Sequence, residues 1–345
     1  MFAELPGVKL YYEEEGEGEP VILIAGIGAN HRFWKGMVPL LKGFRVITMD
    51  NRGVGMTEYE KEEIRIDEIA DDVIHLMDHL HIYKAHIVGW SMGSEAAMSI
   101  AVRHPQRVQT LTLVSSFQYR PYRSAYFMQN TTRLAKEGVC TPEAIHIMIT
   151  SFCFPETFFA GLAEKGMDVP TPKRFEDPTK LLEQMKAMDT FDIGDRIDEI
   201  KVPTLVVHGA EDIMVEPKKA HAVRDAIKGS VYLEIPGVGH TIDPALYADA
   251  LKKLINDNRM QRDAAPQDQH TEVHRMREMR PGVHQEQPRD PREGGPRDRQ
   301  GMHRMRALRG ILPKERHQAG VRRLRQPHRR DQEHRAVQRP ARLGC

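Results

Sequence analysis

The sequence predicts an α/β fold in which a mostly parallel sheet is flanked by helices. Short runs of apolar residues recur along the first 258 residues, and longer segments with apolar residues at three- and four-residue steps separate them. Continuous apolar runs are typical of parallel strands that are covered on both faces. The three- and four-residue spacing is typical of half-buried helices. Their alternation predicts a sheet built from right-handed β-α-β crossovers.

The predicted elements follow in chain order, beginning with a hairpin around Pro6 and Gly7. Later strands are expected at 21–25, 45–49, 86–88, 110–114, 204–207 and 231–235, with helices between them. One stretch, about residues 118–198, has helical patterns and many aromatic residues but no strand pattern. We predict that it forms a helical cap over the carboxyl edge of the sheet. Its aromatic residues have two open roles, as the cap's own core or as the lining of an apolar substrate pocket.

Charge and composition divide the chain near residue 258. Residues 1–258 hold 28 Lys and Arg against 38 Asp and Glu, whereas residues 259–345 hold 22 against 11 and have no Phe, Tyr or Trp. A segment of this composition cannot bury enough apolar surface to offset the entropy of ordering it. We therefore predict a globular domain over 1–258 and a disordered tail, rich in Arg, Pro, Gln and His, over 259–345.

The tail has two interpretations. Its arginines could bind nucleic acid through phosphate contacts. Alternatively, the tail is a frameshifted segment, because a shift of one base turns each Met-Arg, Met-His and Val-His junction into a possible TGC codon. Residues 273–284 and 302–313 then each take the form C-x₂-C-x₂-C-x₃-C, the spacing of a ferredoxin with two [4Fe–4S] clusters. This hypothesis places the frameshift between about residues 256 and 272, and we expect no nucleic-acid partner.

Targeting signals and metal sites are not indicated. The N-terminus has no secretory pattern, and no apolar run approaches the ~20 residues that cross a bilayer. The three cysteines are sparse and lack metal-ligand spacing. We therefore expect a cytoplasmic protein without a membrane partner, a metal or a cofactor.

The pentapeptide Gly89-Trp90-Ser91-Met92-Gly93 stands between a predicted strand and a predicted helix. A G-x-S-x-G sequence in this context is typical of a nucleophile elbow, a sharp turn that lifts the serine hydroxyl above the sheet. The glycines permit the close backbone approach that the turn requires. Ser91 is therefore the predicted nucleophile.

A serine nucleophile needs a general base, and the base needs an acid that orients it. Asp212 follows one predicted strand, and His240 follows the next in a glycine-bracketed loop. Both are thus expected at the sheet edge that carries Ser91. We predict His240 as the base and Asp212 as the orienting acid.

An oxyanion hole is predicted from two backbone N–H groups. Ile27 lies between Gly26 and Gly28 after an early strand, and Met92 directly follows the nucleophile. Both N–H groups can face the negative charge that develops during acyl transfer.

Two other polar residues in conspicuous places are interpreted as structural. Arg52 belongs to the turn-like segment 50–57 after the second parallel strand, and we expect it to anchor that loop. His208 stands at the end of a strand, where a structural role is expected.

Together these motifs resemble the α/β-hydrolase fold family, in particular its small esterases and lactonases with a helical cap. The resemblance covers residues 2–258. It implies an acyl-enzyme on Ser91, His240 acting first as base and then as acid, and Asp212 holding the imidazole. One departure is Ala25, where many relatives have a histidine, so the identity of the oxyanion donors is left open. Ser91 argues against the dehalogenase and epoxide hydrolase branches, which place an aspartate at the elbow.

The predicted function is hydrolysis of a small to medium carboxylic ester, lactone or thioester. Trp90, Tyr126, Phe127 and Phe154 are candidate lining residues of the substrate pocket. Two alternatives stay open, namely hydrolytic C–C cleavage of a diketone-like substrate and a non-catalytic protein that binds a ligand in the same pocket. The oligomeric state is not indicated by the sequence.

Overall fold

The computed structural model of the protein describes residues 1–60, 63–172 and 176–264. Its strands are β1 (Phe2–Leu5), β2 (Val8–Glu15), β3 (Glu19–Ile24), β4 (Phe44–Met49), β5 (Glu58–Tyr59), β6 (Ala85–Trp90), β7 (Val108–Val114), β8 (Thr204–Gly209) and β9 (Val231–Ile235). They form one mixed sheet with the order β1-β2-β4-β3-β6-β7-β8-β9, and β5 pairs with β2.

Antiparallel pairing is confined to the N-terminal side of the sheet. β1 and β2 form the predicted hairpin, with Leu5 opposite Val8 and Gly7 at φ 69° in the turn. β2 also runs antiparallel to β4, and every pair from β4 to β9 is parallel. The predicted α/β class with a mostly parallel sheet is confirmed.

The helices are α1 (Ile66–His79), α2 (Met92–Arg103), α3 (Tyr122–Lys136), α4 (Pro142–Cys153), α5 (Glu156–Glu164), α6 (Pro178–Thr190), α7 (Pro217–Ala226) and α8 (Ala248–Ala264). Side chains of α1 and α2 pack on one face of the sheet together with Ile22 and Ile24. Residues of α8 and the 3₁₀ turn around Trp34 pack on the other face together with Val21 and Leu23. Alternate residues of β3 therefore enter opposite cores, as expected for a strand covered on both sides.

Helices α3 to α6 lie between β7 and β8 in the chain and are called the cap here. The described part of residues 118–198 contains helices and no strand, as the pattern predicted. Among the described residues no single helix has the length and apolar composition to cross a membrane, although α4 and α5, bent by 120°, pass that test as a pair.

The last described helix passes the predicted end of the globular domain. α8 continues through residue 258 to Ala264. The predicted disorder of the tail and its frameshifted ferredoxin-like interpretation concern residues that lie almost entirely beyond position 264, outside the described part of the chain.

Candidate active site

The G-x-S-x-G sequence forms a tight turn between β6 and α2. Ser91 has φ 52° and ψ −120°, a conformation that is rare for a residue with a side chain. A Cβ atom on Gly89 would lie 2.2 Å from the Gly93 carbonyl oxygen, and one on Gly93 would lie 2.2 Å from the Ile24 carbonyl oxygen. Both positions therefore require glycine, and the turn presents the Ser91 side chain above the carboxyl end of β6.

Three predicted side chains meet at this edge of the sheet. His240 Nε2 lies 3.0 Å from Ser91 Oγ, and His240 Nδ1 lies 2.8 Å from Asp212 Oδ2. All three residues are buried, with exposed fractions of 5% for Ser91, 2% for Asp212 and 3% for His240. The Asp212 carboxyl fixes the proton on Nδ1, which leaves Nε2 to accept the Ser91 hydroxyl proton.

The acid is held by its own loop and by a second histidine. Asp212 Oδ1 accepts a hydrogen bond of 2.8 Å from the Val215 N–H. His208 Nε2 donates to the Val215 carbonyl oxygen at 2.9 Å and lies 3.3 Å from Asp212 Oδ2. Burial lowers the pKa of His208, which keeps the imidazole neutral. His208 thus contacts the orienting acid, a role that the sequence did not assign beyond a structural one.

The backbone of His240 is fixed by two side-chain donors. Its carbonyl oxygen accepts hydrogen bonds from Trp90 Nε1 at 3.1 Å and from Ser115 Oγ at 2.8 Å. The indole of Trp90 stacks on Phe33 with a centroid distance of 4.0 Å. Sequence reasoning missed Ser115, because a small polar residue after a strand carries no distinctive signal.

Two backbone N–H groups remain free to receive a negative charge. Met92 is the first residue of α2, where an N–H has no partner within the helix. Among the described residues, neither the Ile27 nor the Met92 N–H donates to a protein acceptor. The neighbouring Gly28 N–H instead donates to Gln184 Oε1 at 2.9 Å. The Ala25 carbonyl oxygen accepts a hydrogen bond from Asn51 Nδ2 at 2.9 Å.

A cavity of about 470 Å³ adjoins Ser91 and His240. The cap and the rest of the described domain, which is called the body here and consists of the sheet with α1, α2, α7 and α8 and their loops, both contribute to its wall. The wall is mostly apolar. Six of the apolar lining residues are Phe117, Met128, Ile149, Leu181, Met188 and Met214. A cavity of this size and composition accommodates a medium-sized apolar group.

The four aromatic residues proposed for the pocket divide into two pairs. Trp90 and Phe154 line the cavity. Tyr126 does not, since its side chain is 74% exposed to solvent. Phe127 stacks on Phe152 with a centroid distance of 4.3 Å and is also absent from the wall.

The physical reason is the orientation of α3. This helix presents Ser124, Ala125, Met128 and Thr132 to the cavity, at three- and four-residue steps. The next residue after Ala125 is turned by about 100° around the helix axis, away from that face. The prediction of Tyr126 and Phe127 as lining residues is therefore wrong.

One arginine on the cavity wall has its charge balanced within the protein. Arg120 pairs with Asp189 and donates to the Met185 carbonyl oxygen at 2.8 Å. Burial lowers the pKa of Arg120, and complete burial raises the pKa of the nearby Glu95 well above its usual range. The wall therefore offers little net charge to an anionic acyl group at this point.

Arg52 lies away from the reacting atoms and holds its loop to the body. Its Nε and Nη2 donate to the two carboxylate oxygens of Asp72 at 2.7 and 2.9 Å. Both side chains are buried. This arrangement is the loop anchor that the sequence predicted.

The comparisons with known proteins agree with this fold. The family model described as alpha/beta hydrolase fold matches residues 19–242. "Putative carbamate hydrolase RutD" from Variovorax paradoxus (strain S110) is 29% identical over 238 residues, covering 67% of this chain and 89% of the relative.

Two solved structures share the fold. A thermophilic esterase from Thermogutta terrifontis superposes with a TM-score of 0.65 at 23% identity and covers 75% of this chain and 99% of its own. The enol-lactonase from Burkholderia xenovorans LB400 has a TM-score of 0.64 at 24% identity, with coverages of 75% and 100%. Because the family model matches residues 19–242, the chain belongs to the α/β-hydrolase fold family, a family of hydrolytic enzymes.

Proposed function

We propose that the protein is a serine hydrolase that cleaves a medium-sized carboxylic ester, lactone or thioester with an apolar acyl portion. The observation that carries the proposal is the continuous hydrogen-bonded line from Asp212 through His240 to Ser91, which ends beside the apolar cavity. Nucleophile, base and orienting acid in this geometry serve acyl transfer.

The reaction follows from these positions. Ser91 Oγ attacks the acyl carbonyl carbon while His240 Nε2 takes the hydroxyl proton. The negative charge on the former carbonyl oxygen is stabilised by the N–H groups of Ile27 and Met92. His240 then gives the proton to the leaving oxygen or sulfur, and an acyl-enzyme remains on Ser91.

The second half of the reaction restores the enzyme. A water molecule attacks the acyl carbon and gives a proton to His240 Nε2. The tetrahedral species collapses, His240 returns the proton to Ser91 Oγ, and the carboxylic acid leaves. Asp212 holds the imidazole in one orientation and stabilises its positive charge in both halves.

The cavity supports an uncharged acyl portion. Its wall is mostly apolar, and the charge of Arg120 is already balanced by Asp189. An apolar chain gains free energy from leaving water at about 25 cal/mol per Å² of buried surface. An acyl chain of several carbons is therefore a better occupant than acetate.

Carbamate hydrolysis is the second candidate, because the relative from V. paradoxus bears that name. A carbamate ester presents the same kind of carbonyl carbon to Ser91, so the hydrogen-bonded Asp212, His240 and Ser91 side chains can serve both reactions. A free carbamate is a small anion and would leave most of the 470 Å³ cavity unfilled. The cavity therefore favours an ester of apolar acid over a carbamate.

The test uses the full chain and a fluorophosphonate probe that reacts with activated serines. We expect labelling of the wild-type protein and none of Ser91→Ala, with folding of both checked by circular dichroism. Wild-type protein that is folded yet unlabelled would contradict the proposal and favour a ligand-binding role. A panel of nitrophenyl esters of increasing chain length, with lactones, acyl-CoA thioesters, carbamates and a vinylogous diketone added, then identifies the substrate class.

A further inference from the structure

One buried glutamine of the cap contacts two loops of the body. Gln184 on α6 has no exposed surface. Its Oε1 accepts the hydrogen bond from the Gly28 N–H at 2.9 Å, and its Nε2 donates to the Arg52 carbonyl oxygen at 2.7 Å. The donor and the acceptor on the loops also determine the orientation of the amide, since a flipped amide would lose both bonds.

The first of these loops carries a predicted oxyanion donor. The Ile27 N–H belongs to the peptide directly before that of Gly28, so a shift of the Gly28 amide moves the Ile27 amide as well. Gly28 has φ 65°, and a Cβ atom there would lie 3.2 Å from Leu181 Cδ1. The oxyanion loop is thus held against α6 by a hydrogen bond and by close packing.

The same helix also forms part of the cavity wall. Leu181 and Met188 line the cavity, three residues before and four residues after Gln184. Positions at this spacing share one face of a helix. The α6 surface that contacts the acyl portion is therefore continuous with the side chain that holds the oxyanion loop.

We propose that Gln184 is a positioning residue that aligns the Ile27 N–H with the developing oxyanion. Because Gln184 belongs to α6, this alignment depends on the position of the cap relative to the Gly28 loop. The proposal rests on the proposed acyl transfer at Ser91. Gln184 touches no reacting atom, so its effect falls on the transition state more than on the binding of the substrate. Displacement of a positioned group by a fraction of an ångström is enough to slow catalysis strongly.

A matched control is provided by the hydrogen bond to Glu183, the residue before Gln184 on α6. Tyr59 Oη donates to Glu183 Oε2 at 2.8 Å, which is a second hydrogen bond between this helix and the body. It touches neither the oxyanion loop nor the cavity wall. Tyr59→Phe therefore removes a contact between cap and body without removing the support of Gly28.

The experiment compares Gln184→Leu, Tyr59→Phe and wild type with nitrophenyl butyrate. We expect Gln184→Leu to lower kcat by about 10- to 100-fold with KM changed by less than about threefold, because misalignment weakens a donor used in the transition state. Tyr59→Phe is expected to keep kcat within about twofold, although both variants lower Tm by a few degrees. An unchanged kcat in Gln184→Leu, an effect on KM alone, or an equal loss in Tyr59→Phe would overturn the proposal.

Gln184→Glu keeps the test decisive if the leucine variant does not fold. A buried carboxyl group tends to be protonated, and the protonated form can accept from Gly28 and donate to the Arg52 carbonyl. The ratio of variant to wild-type kcat is therefore expected to be highest near about pH 6 and to fall as the carboxyl ionises. The Tm of the variant relative to wild type stops falling at the pH where the carboxyl of the folded protein has ionised. A ratio near one above that pH counts against the proposal.

Failure of the two proposals can be told apart. Fluorophosphonate labelling and ester turnover by the wild-type protein test the site at Ser91. If the wild-type protein is labelled and active while the Gln184 variants behave as wild type, the positioning role alone is wrong. If the wild-type protein is inert, both proposals fall together.

Discussion

The sheet body and the cap differ in how completely they bury their residues. Every residue of β6, β7 and β8 is buried, whereas α5 in the cap has no buried residue. A strand covered on both faces has no alternative environment for its side chains, but a helix covered on one side does. The location of a body residue therefore follows from its sequence, and that of a cap residue depends on which neighbours cover the helix.

The two regions also contribute differently to the candidate site. The body supplies the Ser91, Asp212 and His240 side chains from the carboxyl ends of the parallel strands β6, β8 and β9. The cap supplies much of the cavity wall. It also contacts the loops that carry Gly28 and His240, through the Gln184 side chain at Gly28 and through the Cys153 carbonyl, which accepts a hydrogen bond from the Thr241 N–H at 3.0 Å. Changes in the body should therefore affect the rate for all substrates, and changes in the cap wall should affect the choice of substrate.

The largest expected effect is in the body. In Asp212→Asn the side-chain NH₂ group takes the place of Oδ2 and donates to His240 Nδ1. The imidazole proton then lies on Nε2, which can no longer accept the Ser91 hydroxyl proton. We expect kcat to fall by about 10⁴-fold for every ester, with KM little changed. Steady-state kinetics over the chain-length panel measure this loss. A loss that depends on chain length would show that Asp212 does not act through the base.

A smaller and selective effect is expected in the cap. Ala125 lines the cavity, and Ala125→Leu adds bulk to that space without replacing a packed side chain. We expect kcat/KM to fall by about tenfold for hexanoate and longer esters and to change little for acetate. The next residue offers the control, because Tyr126 is exposed and Tyr126→Ala should leave the whole panel within about twofold of wild type. A large effect of Tyr126→Ala would restore the aromatic residue as a determinant of specificity.

A third prediction concerns how the body holds the His240 loop. Trp90→Phe keeps an aromatic ring beside Phe33 but removes the N–H that donates to the His240 carbonyl oxygen. We expect kcat to fall by about three- to tenfold, because one neutral hydrogen bond is lost while the Ser115 bond remains.

The chain has one other tryptophan, which serves as the control. Trp34 is fully buried, and its Nε1 has no hydrogen-bond partner among the described residues. Trp34→Phe should therefore leave kcat unchanged. Equal losses in Trp90→Phe and Trp34→Phe would mean that packing, and not the hydrogen bond to His240, accounts for the effect.

The smallest effect concerns stability and pH. Glu95 is completely buried on α2, and burial raises its pKa well above the usual range. A group whose folded pKa is raised contributes stability that is present below its unfolded pKa of about 4.3 and is lost as the pH rises through the folded pKa. Gln cannot ionise, so the Tm of Glu95→Gln minus that of wild type should increase as the pH rises from about 5 to about 8. Each kcal/mol of stability that the wild type loses corresponds to about 2–4 °C in Tm.

Scanning calorimetry at several pH values measures this difference. Glu4→Gln removes the same charge from an exposed position and serves as the control. A Tm difference for Glu95→Gln that stays constant over the pH range would show that the Glu95 carboxyl is already ionised in the folded protein, so that burial does not raise its pKa into this range.

Much of the body could be predicted because its signals are local. The runs at 21–25 and 204–207 are apolar on both strand faces, and the turn at Ser91 needs glycines at two fixed positions. The order of nucleophile, acid and base along the chain was also readable, because loops that follow neighbouring parallel strands meet at one edge of the sheet. No comparable local rule assigns Ser115 or Gln184 to the site, since their partners lie 125 and 156 residues away in the chain.

The sequence by itself determined the α/β architecture and identified Ser91, Asp212 and His240 as candidates, because burial on both faces, glycine at close approaches and strand order each follow from short-range patterns. Only the tertiary structure decided which cap residues face the cavity. Met128 and Leu181 lie on its wall and Tyr126 faces solvent, although an aromatic residue is the more conspicuous candidate in the sequence. The rotation of a half-buried helix depends on the neighbours that cover it, and those neighbours come from distant parts of the chain.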